Sequence, residues 1–443
     1  MWSTNFFRTA SEPGPNIQET AMNNEQFERL TRVGAGTPMG TFMRRYWHPI
    51  ATSAQVAAPD GAPLVTWLLG ERFVVFRDTE GKVGVLDDHC MHRGVSLGLG
   101  RVEEGGIRCI YHGWKFARDG RILETPNHDS CAFRERKKAR AFPVRESSGL
   151  IWTYIGPADQ EPPFRTFDFD QVPDGNKSVF RGNAAAPYLV LWEGGVDSSH
   201  VGMLHTNDAR PSWGAKLRGE DVGPSAWDSL APTYEVERTP YGYRYVAFRG
   251  IPGNPDARHA RQVPAILPNM RIIPGHADFA IAIFEVPMDD KRTATYQMAY
   301  SHSQPIDREW AARFLGFVPP VYDEKTCNVN VSWPDNMQQD RSIMDRSWSG
   351  LPAIEVEDVA MAVSLTEPWD RSTENLVAAD IAVVTLRQTL LDALKRFEAG
   401  ENPPALHVED MSAAQSYDQV VRNSEDWKAV PARLAGALQY EKA

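Results

Sequence analysis

The chain is short of cysteine, of excess cationic charge and of long apolar runs, and each shortage excludes a class of protein. Four cysteines in 443 residues are too few for a disulfide framework, so a closely spaced Cys/His set points to metal instead. Cys131 and Cys327 have no such partners and read as small buried residues. Fifty-eight acidic against 47 basic side chains give a net charge of −11, which repels nucleic acid unless the cations gather on one face. The densest cationic stretch, Arg134 to Arg140, reads as a solvated edge. No segment approaches the roughly 18 apolar residues of a spanning helix, and the opening residues lack a signal-peptide core. The expectation is a cytoplasmic protein that binds neither nucleic acid nor membrane. No internal repeat or low-complexity tract is visible.

What is present fits a soluble globular chain, since 42% hydrophobic and 24% charged residues are close to average. At this length two domains are expected. Residues 23–47 read as partly helical, with Phe27, Leu30 and Val33 on one face and a second short stretch from Thr41 to Trp47. Gly34, Gly36 and Gly40 between them imitate a dinucleotide fingerprint, but no strand precedes them and Pro38 interrupts. From Leu64 to about Gly156, short β-type runs (Val65 to Leu69, Phe73 to Phe76, Val83 to Leu86, Leu150 to Ile155) alternate with turns and make a compact all-β module. Pro157, Pro162 and Pro163 mark a boundary. Beyond it, strand-like runs such as Tyr243 to Phe248 and Phe279 to Val286 mix with helical stretches, an α+β pattern. Leu376, Val383, Leu386, Leu390, Leu394 and Phe397 recur at helical intervals before Gly400, Pro403 and Pro404. The expected division is a helical segment 1–48 packing on the second domain, an all-β module 49–160, and an α+β domain 161–443 with a C-terminal helix.

Two constellations carry chemistry. In the first, Cys90-Met91-His92 is followed after 16 residues by Cys109-Ile110-Tyr111-His112. Two such pairs near turns can close around a [2Fe–2S] cluster, thiolates on one iron and imidazoles on the other. The rival is structural zinc, which usually pairs Cys with Cys and His with His. In the second, Asp197, His200 and His205 stand within nine residues, the stock of a 2-His-1-carboxylate iron site. On an ideal helix His200 and His205 are turned apart by roughly 140°. Both reach one metal only if the helix bulges or unwinds there.

Cys90-Met91-His92-Arg93-Gly94 and Cys109-Ile110-Tyr111-His112-Gly113-Trp114 resemble the two halves of the Rieske signature, with the spacing of aromatic-ring oxygenases. Val95 and Tyr111 stand where respiratory-chain Rieske subunits carry extra cysteines. Glu193-Gly194-Gly195-Val196-Asp197-Ser198-Ser199-His200, with His205, is similar to the iron motif of the phthalate dioxygenase-like branch. Leu30 to Gly40, Arg44 to Trp47 and Asn336 to Arg341 share the likeness, which spans roughly residues 25–400.

The resemblance implies a Rieske [2Fe–2S] domain followed by a catalytic domain built on an antiparallel, helix-grip-like sheet with helices. By it, Cys90 and Cys109 bind one cluster iron, and His92 and His112 the other. His200 and His205 would hold a mononuclear Fe(II), and Asp197 would bridge to a Rieske histidine of the neighbouring subunit. Glu357-Asp358-Val359-Ala360-Met361-Ala362 resembles the segment that supplies the third ligand, which makes Asp358 the choice, with Glu357 and Asp340 as fallbacks. The implied activity is that of a terminal oxygenase that hydroxylates or O-demethylates an aromatic acid with O2. Without a convincing nucleotide fingerprint, NAD(P)H must be oxidised by a separate flavin and iron–sulfur reductase, with or without a ferredoxin. A homotrimer, or a stacked hexamer, is implied with it. A carboxylate substrate calls for an arginine, for which Arg244 and Arg249 are the leading candidates, with Arg258 and Arg261 beside them. Trp192, Trp333 and Trp348 are candidate ring-stacking residues. A Rieske-type electron-transfer protein, or a zinc hydrolase, is the competing reading.

Overall fold

The computed structural model describes residues 22–430 apart from 221, 224, 276–278 and 367–369. The chain opens on two short helices, α1 (Asn24–Thr31) and α2 (Pro38–Met43). Asn23 and Gln26 form a capping box ahead of α1. Pro38 sits in the first turn of α2, where its missing N–H has no partner to lose. The glycine-rich stretch is thus a helix-to-helix connection, and the second helix begins before Thr41 and ends before Trp47.

Then come β1 (Trp47–Thr52), β2 (Leu64–Leu68), β3 (Glu71–Arg77), β4 (Val83–Asp87), β5 (Arg101–Glu103), β6 (Gly106–Arg108), β7 (Lys115–Ala117) and β8 (Ile122–Glu124). Helix α3 (Cys131–Arg136), β9 (Val144–Ser147) and β10 (Leu150–Tyr154) complete the module. They form three small sheets, β1-β10-β9, β2-β3-β4 and β5-β6-β7-β8. Strand β3 serves two interiors because successive side chains point to opposite faces. Val74 and Phe76 join a core that contains Cys90 and Cys109, whereas Phe73 and Val75 join the main core, which the second domain shares. Cys327 is buried as expected, but Cys131 is exposed, because short α3 turns Phe133 rather than Cys131 towards the core. Arg136, Lys137 and Lys138 are exposed, as a solvated edge requires.

The second domain runs β11 (Thr166–Phe167), β12 (Lys177–Ala184), α4 (Tyr188–Val196), α5 (Thr206–Ala209), α6 (Pro211–Leu217), β13 (Thr233–Thr239), β14 (Gly242–Ile251) and β15 (Asn254–Ile266). It continues with β16 (Met270–Pro274), β17 (Ala280–Pro287), β18 (Thr293–Tyr300), α7 (Arg308–Leu315), β19 (Tyr322–Asp323) and β20 (Asn328–Val329). Last come α8 (Ile354–Ser364), α9 (Ile381–Glu398), β21 (Asp410–Met411) and β22 (Tyr417–Arg422). Among the described residues the main sheet is ten-stranded, in order β13-β14-β15-β16-β17-β18-β12-β20-β19, with β22 against β15. Strand β18 is buried at every position, with Ala294, Tyr296 and Met298 in the main core and Thr293, Thr295 and Gln297 on the opposite face.

Helix α4 is apolar nearly all round and correspondingly buried, crossing β16 and β17 between α8 and α9. Leu376, which continues the helical interval in sequence, lies outside α9. The two domains are joined by backbone as well as side chains. The amides of Leu69 and Gly70 donate to the carbonyls of Pro287 and Met288 at 2.9 and 2.8 Å, and Trp152 meets Phe284 edge-on at 5.2 Å. No described helix is long and apolar enough to cross a membrane.

Candidate functional site

The two Cys/His loops are built alike. The amide of Gly94 donates to the carbonyl of Cys90 at 2.8 Å, and that of Gly113 to Cys109 at 2.9 Å. Both glycines have φ near +75°, a conformation that a side chain would strain. The thiols are buried and the imidazoles lie further out, with the His92 and His112 rings 4.6 Å apart. Burial raises the Cys90 thiol to about 11, and neighbouring Cys109 adds to the rise. Two buried thiols side by side, with two imidazoles just outside them, supply the sulfur and nitrogen donors that a cluster takes, so the donor set fits one. Trp114 does more than fill the core: its ring stacks on His92 at 4.6 Å and 5°, and its Nε1 donates to Asn127 at 2.8 Å.

The second site forms where α4 stops. Asp197 is its C-cap in an extended conformation, and its Oδ1 accepts from the Ser199 amide and hydroxyl, each at 2.7 Å. A tight 3₁₀ turn, His200–Gly202, follows before α5 begins at Thr206. The helix therefore ends before either histidine, which removes the 140° obstacle, and the turn that follows brings His200 Nε2 within 3.2 Å of His205 Nε2. From the first turns of α8, Asp358 Oδ1 comes within 3.6 Å of His200 Nε2 and 3.2 Å of His205 Nε2. One ligand atom from each of the three lies within 4.8 Å of the others.

The supporting groups are as specific. His205 Nδ1 is 2.6 Å from Glu357 Oε2, and the Ser349 hydroxyl donates to the other oxygen of Glu357. His200 Nδ1 is 3.6 Å from Asp197 Oδ2. Burial lowers the His205 pKa, but Asp358 and Glu357 outweigh it and hold the imidazole at about 10. Burial likewise raises Asp358, yet His205, His200 and Arg271 hold it down to about 2. A cluster that holds a proton this tightly between an imidazole and an acid suits a metal that replaces the proton. Asp340 is elsewhere, its carboxylate accepting from the Ser342 amide at 2.8 Å on the surface.

A cavity with roughly 850 Å³ of empty space, open at its mouth, adjoins these three residues. Trp227, Tyr245, Val263 and Ile283 give it apolar walls, and Arg261, Arg271, Gln297 and Glu355 give it polar points. Arg261 Nη1 donates to Asp418 at 2.8 Å and to the Pro274 carbonyl at 2.9 Å. Arg271 is ion-paired with Glu285. Glu355 accepts from Thr295 at 3.1 Å and from Gln297, and burial together with Asp358 raises its pKa to about 7.

Arg244 and Arg249 do not line this cavity. Arg244 pairs with Glu237 at 2.6 Å and covers Trp427. Arg249 lies behind the wall, donating to the Ser198 carbonyl at 2.6 Å with its guanidinium 4.2 Å over Trp227. Arg258 stacks on Phe248. Trp192 is core, whereas Trp333 and Trp348 are surface residues. Arg271, Trp227 and Glu355 were not found from sequence. The alternation on β15 and β16, which puts Arg261 with Val263 and Arg271 with Ile273, is the signal that could have found the arginine.

Residues 46–143 match the Rieske [2Fe-2S] domain family and residues 153–441 the family described as LigXa C-terminal domain like. The phthalate 4,5-dioxygenase oxygenase subunit of Pseudomonas putida is 34% identical over 419 residues, covering 92% of this chain and 94% of that one. The 3-chlorobenzoate-3,4-dioxygenase oxygenase subunit of Comamonas testosteroni is 32% identical, covering 93% and 98%. Among solved structures, dicamba monooxygenase bound to dicamba superposes with a TM-score of 0.57 at 17% identity, covering 82% of this chain and all of that one. At that identity the likeness concerns the fold.

Proposed function

The chain belongs to the Rieske non-haem iron oxygenases as a terminal oxygenase component, and from that premise we propose that it hydroxylates or O-demethylates a small aromatic acid. Its cofactors are a [2Fe–2S] cluster and a mononuclear iron. In this reading Cys90 and Cys109 hold one cluster iron, and His92 and His112 the other. His200, His205 and Asp358 hold the mononuclear Fe(II). The observation that carries the proposal is the convergence of those three ligand atoms at the end of a largely apolar cavity. Iron held there would supply the activation of O2, the co-substrate.

The chain's own residues do the rest. Glu357 accepts the Nδ1–H of His205, which fixes the tautomer and aims Nε2 inward. Ser349 in turn orients Glu357. Apolar walls exclude water and take up the substrate ring. Arg261 offers the guanidinium for a carboxylate, and the acid substrates named for both relatives support that choice.

Electrons come from NAD(P)H through a separate flavin and iron–sulfur reductase, with or without a ferredoxin. Asp197, beside His200 at 3.6 Å, would link it to His112 of a second copy across a subunit contact in a head-to-tail homotrimer or a stacked hexamer, and electrons would cross there. Exposed Met91, Ile110 and Tyr111 around the cluster ligands, and exposed Met203 and Trp348 near the iron site, support such a contact. The test is single turnover of the fully reduced, iron-loaded protein with O2 and a panel of hydroxy-, methoxy- and unsubstituted aromatic acids. Hydroxylated or demethylated product, with cluster reoxidation, is expected. Cluster reoxidation without product from any acid would reduce the protein to an electron carrier or move its substrate to another class.

A further inference from the structure

A buried cluster of four charges stands one helical turn before Asp197. Glu193 of α4 accepts from Arg387 Nε and Nη2 at 2.7 and 3.0 Å. Arg387 also bonds Glu374, and Arg371 Nη1 lies 3.3 Å from Glu374 and 3.6 Å from Glu193. Glu193, Arg371 and Arg387 are 7%, 4% and 4% exposed. Two acids and two guanidinia leave the cluster neutral. It joins α4 to α9 and to the segment before α9, and it reaches α1 as well: Arg371 covers the Phe27 ring at 3.8 Å and its amide donates to Asn24 at 3.1 Å.

The other flank of the same turn is held too. Residues two apart on a helix point in nearly opposite directions, and opposite Glu193 the Arg271 guanidinium fills the notch at Gly195. A Cβ there would come within 1.8 Å of its Cζ. The last turn of α4 is therefore clamped from both sides, at the point where it delivers Asp197.

Replacing buried ion networks by apolar side chains of like volume is commonly neutral or stabilising, because desolvation offsets the attraction. Stability alone gives no reason for four charges at this place. Fixed direction and distance are what such charges add to packing. We propose that Glu193, Arg371, Glu374 and Arg387 are positioning residues, which set the rotation and height of the last α4 turn and so hold Asp197 where it can link the two metal centres. This rests on the reading of Asp197 as that link.

The test pairs Glu193→Leu with Arg387→Met, leaving Arg371 and Glu374 as a neutral pair. The double variant is expected to keep its cluster spectrum, its mononuclear iron and a thermal midpoint within about 5 °C of the parent. On mixing the reduced enzyme with substrate and O2, its cluster should reoxidise at least ~10-fold more slowly than the parent. Arg387→Lys, which keeps the charge but not the fork, should fall between the two, and it decides the matter if the double variant is insoluble. Parent-like reoxidation in iron-loaded double variant, or in Arg387→Lys when that is the variant available, overturns the proposal. So does a slowing wholly accounted for by lost iron. Asp197→Asn run alongside separates the failures: if it reoxidises as fast as the parent, the reading of Asp197 falls. If it is slow while the double variant is fast, only the clamp falls.

Discussion

His205 Nδ1 lies 2.6 Å from Oε2 of Glu357, and the residue after Glu357 is the acid whose Oδ1 lies 3.2 Å from the opposite nitrogen of the same ring. Two consecutive residues of α8 thus grip one imidazole from its two ends. Glu357→Gln is expected to leave the cluster spectrum unchanged while weakening mononuclear iron binding about 10- to 100-fold. Iron titration of metal-free enzyme measures it. Ser349→Ala should act in the same direction but more weakly, and unchanged affinity in both variants would leave Glu357 as a spectator.

His205→Ala and Asp358→Ala are each expected to lose the mononuclear iron and all product while retaining the cluster absorption. Asp340→Ala should behave as the parent, because that carboxylate only caps a surface turn. Elemental iron against cluster absorbance reads both. Full iron in Asp358→Ala would hand the ligand role to Glu357.

Cys109→Ser should abolish the visible cluster absorption and lower soluble yield, since the cluster helps hold its loops. Trp114→Leu removes the ring stacked on His92 while keeping an apolar core residue. It is expected to assemble the cluster with an altered EPR signature, and a signature identical to the parent's would make the stacking incidental.

Arg261→Gln is expected to lower kcat/KM for an aromatic acid about 10- to 100-fold, the scale of one charged hydrogen bond. Arg244→Gln should leave it within about 2-fold, because that side chain is occupied by Glu237 away from the cavity. Steady-state oxygen uptake distinguishes them, and the reverse ranking would relocate the carboxylate site.

Acid should destabilise the protein through His48. Complete burial lowers its pKa from 6.5 to about 4, with Arg44 and Arg165 adding to the fall, while the Met43 carbonyl acts in the opposite direction. A histidine depressed in the folded state contributes stability above its unfolded pKa and loses it as pH falls towards the folded value. The window is therefore pH 6.5 to 4, and the contribution is at most about 3 kcal/mol. His48→Gln retains an N–H for the Met43 carbonyl but cannot titrate, so its denaturation midpoint should vary less across that window. Parallel pH profiles for parent and variant would exclude His48 as the titrating group.

The cluster loops were legible in sequence because each half-site is a turn of five residues, and a turn brings its own side chains together whatever surrounds it. The two histidines were legible as residue types but not as geometry, since nothing within nine residues says that α4 will unwind after Val196. The cavity was hardly legible at all. Which of Arg244, Arg249, Arg258 and Arg261 faces it depends on strand register, and the group that steadies Arg261, Asp418, arrives from 157 residues downstream. Periodicity also overran its true limit at Leu376, because the 3₁₀ turn Ala378–Asp380 stands between that residue and the first turn of α9. At Cys131, residue type suggested burial that a six-residue helix could not provide.

Strand β3 turns Val74 and Phe76 towards the cluster loops and Phe73 and Val75 towards the main core shared with the second domain. A strand shared in this way cannot be cut from either neighbour without leaving one interior open to water. The two halves are distinct in sequence but share one apolar interior, so a fragment ending near residue 160 would expose aromatic surface that invites aggregation.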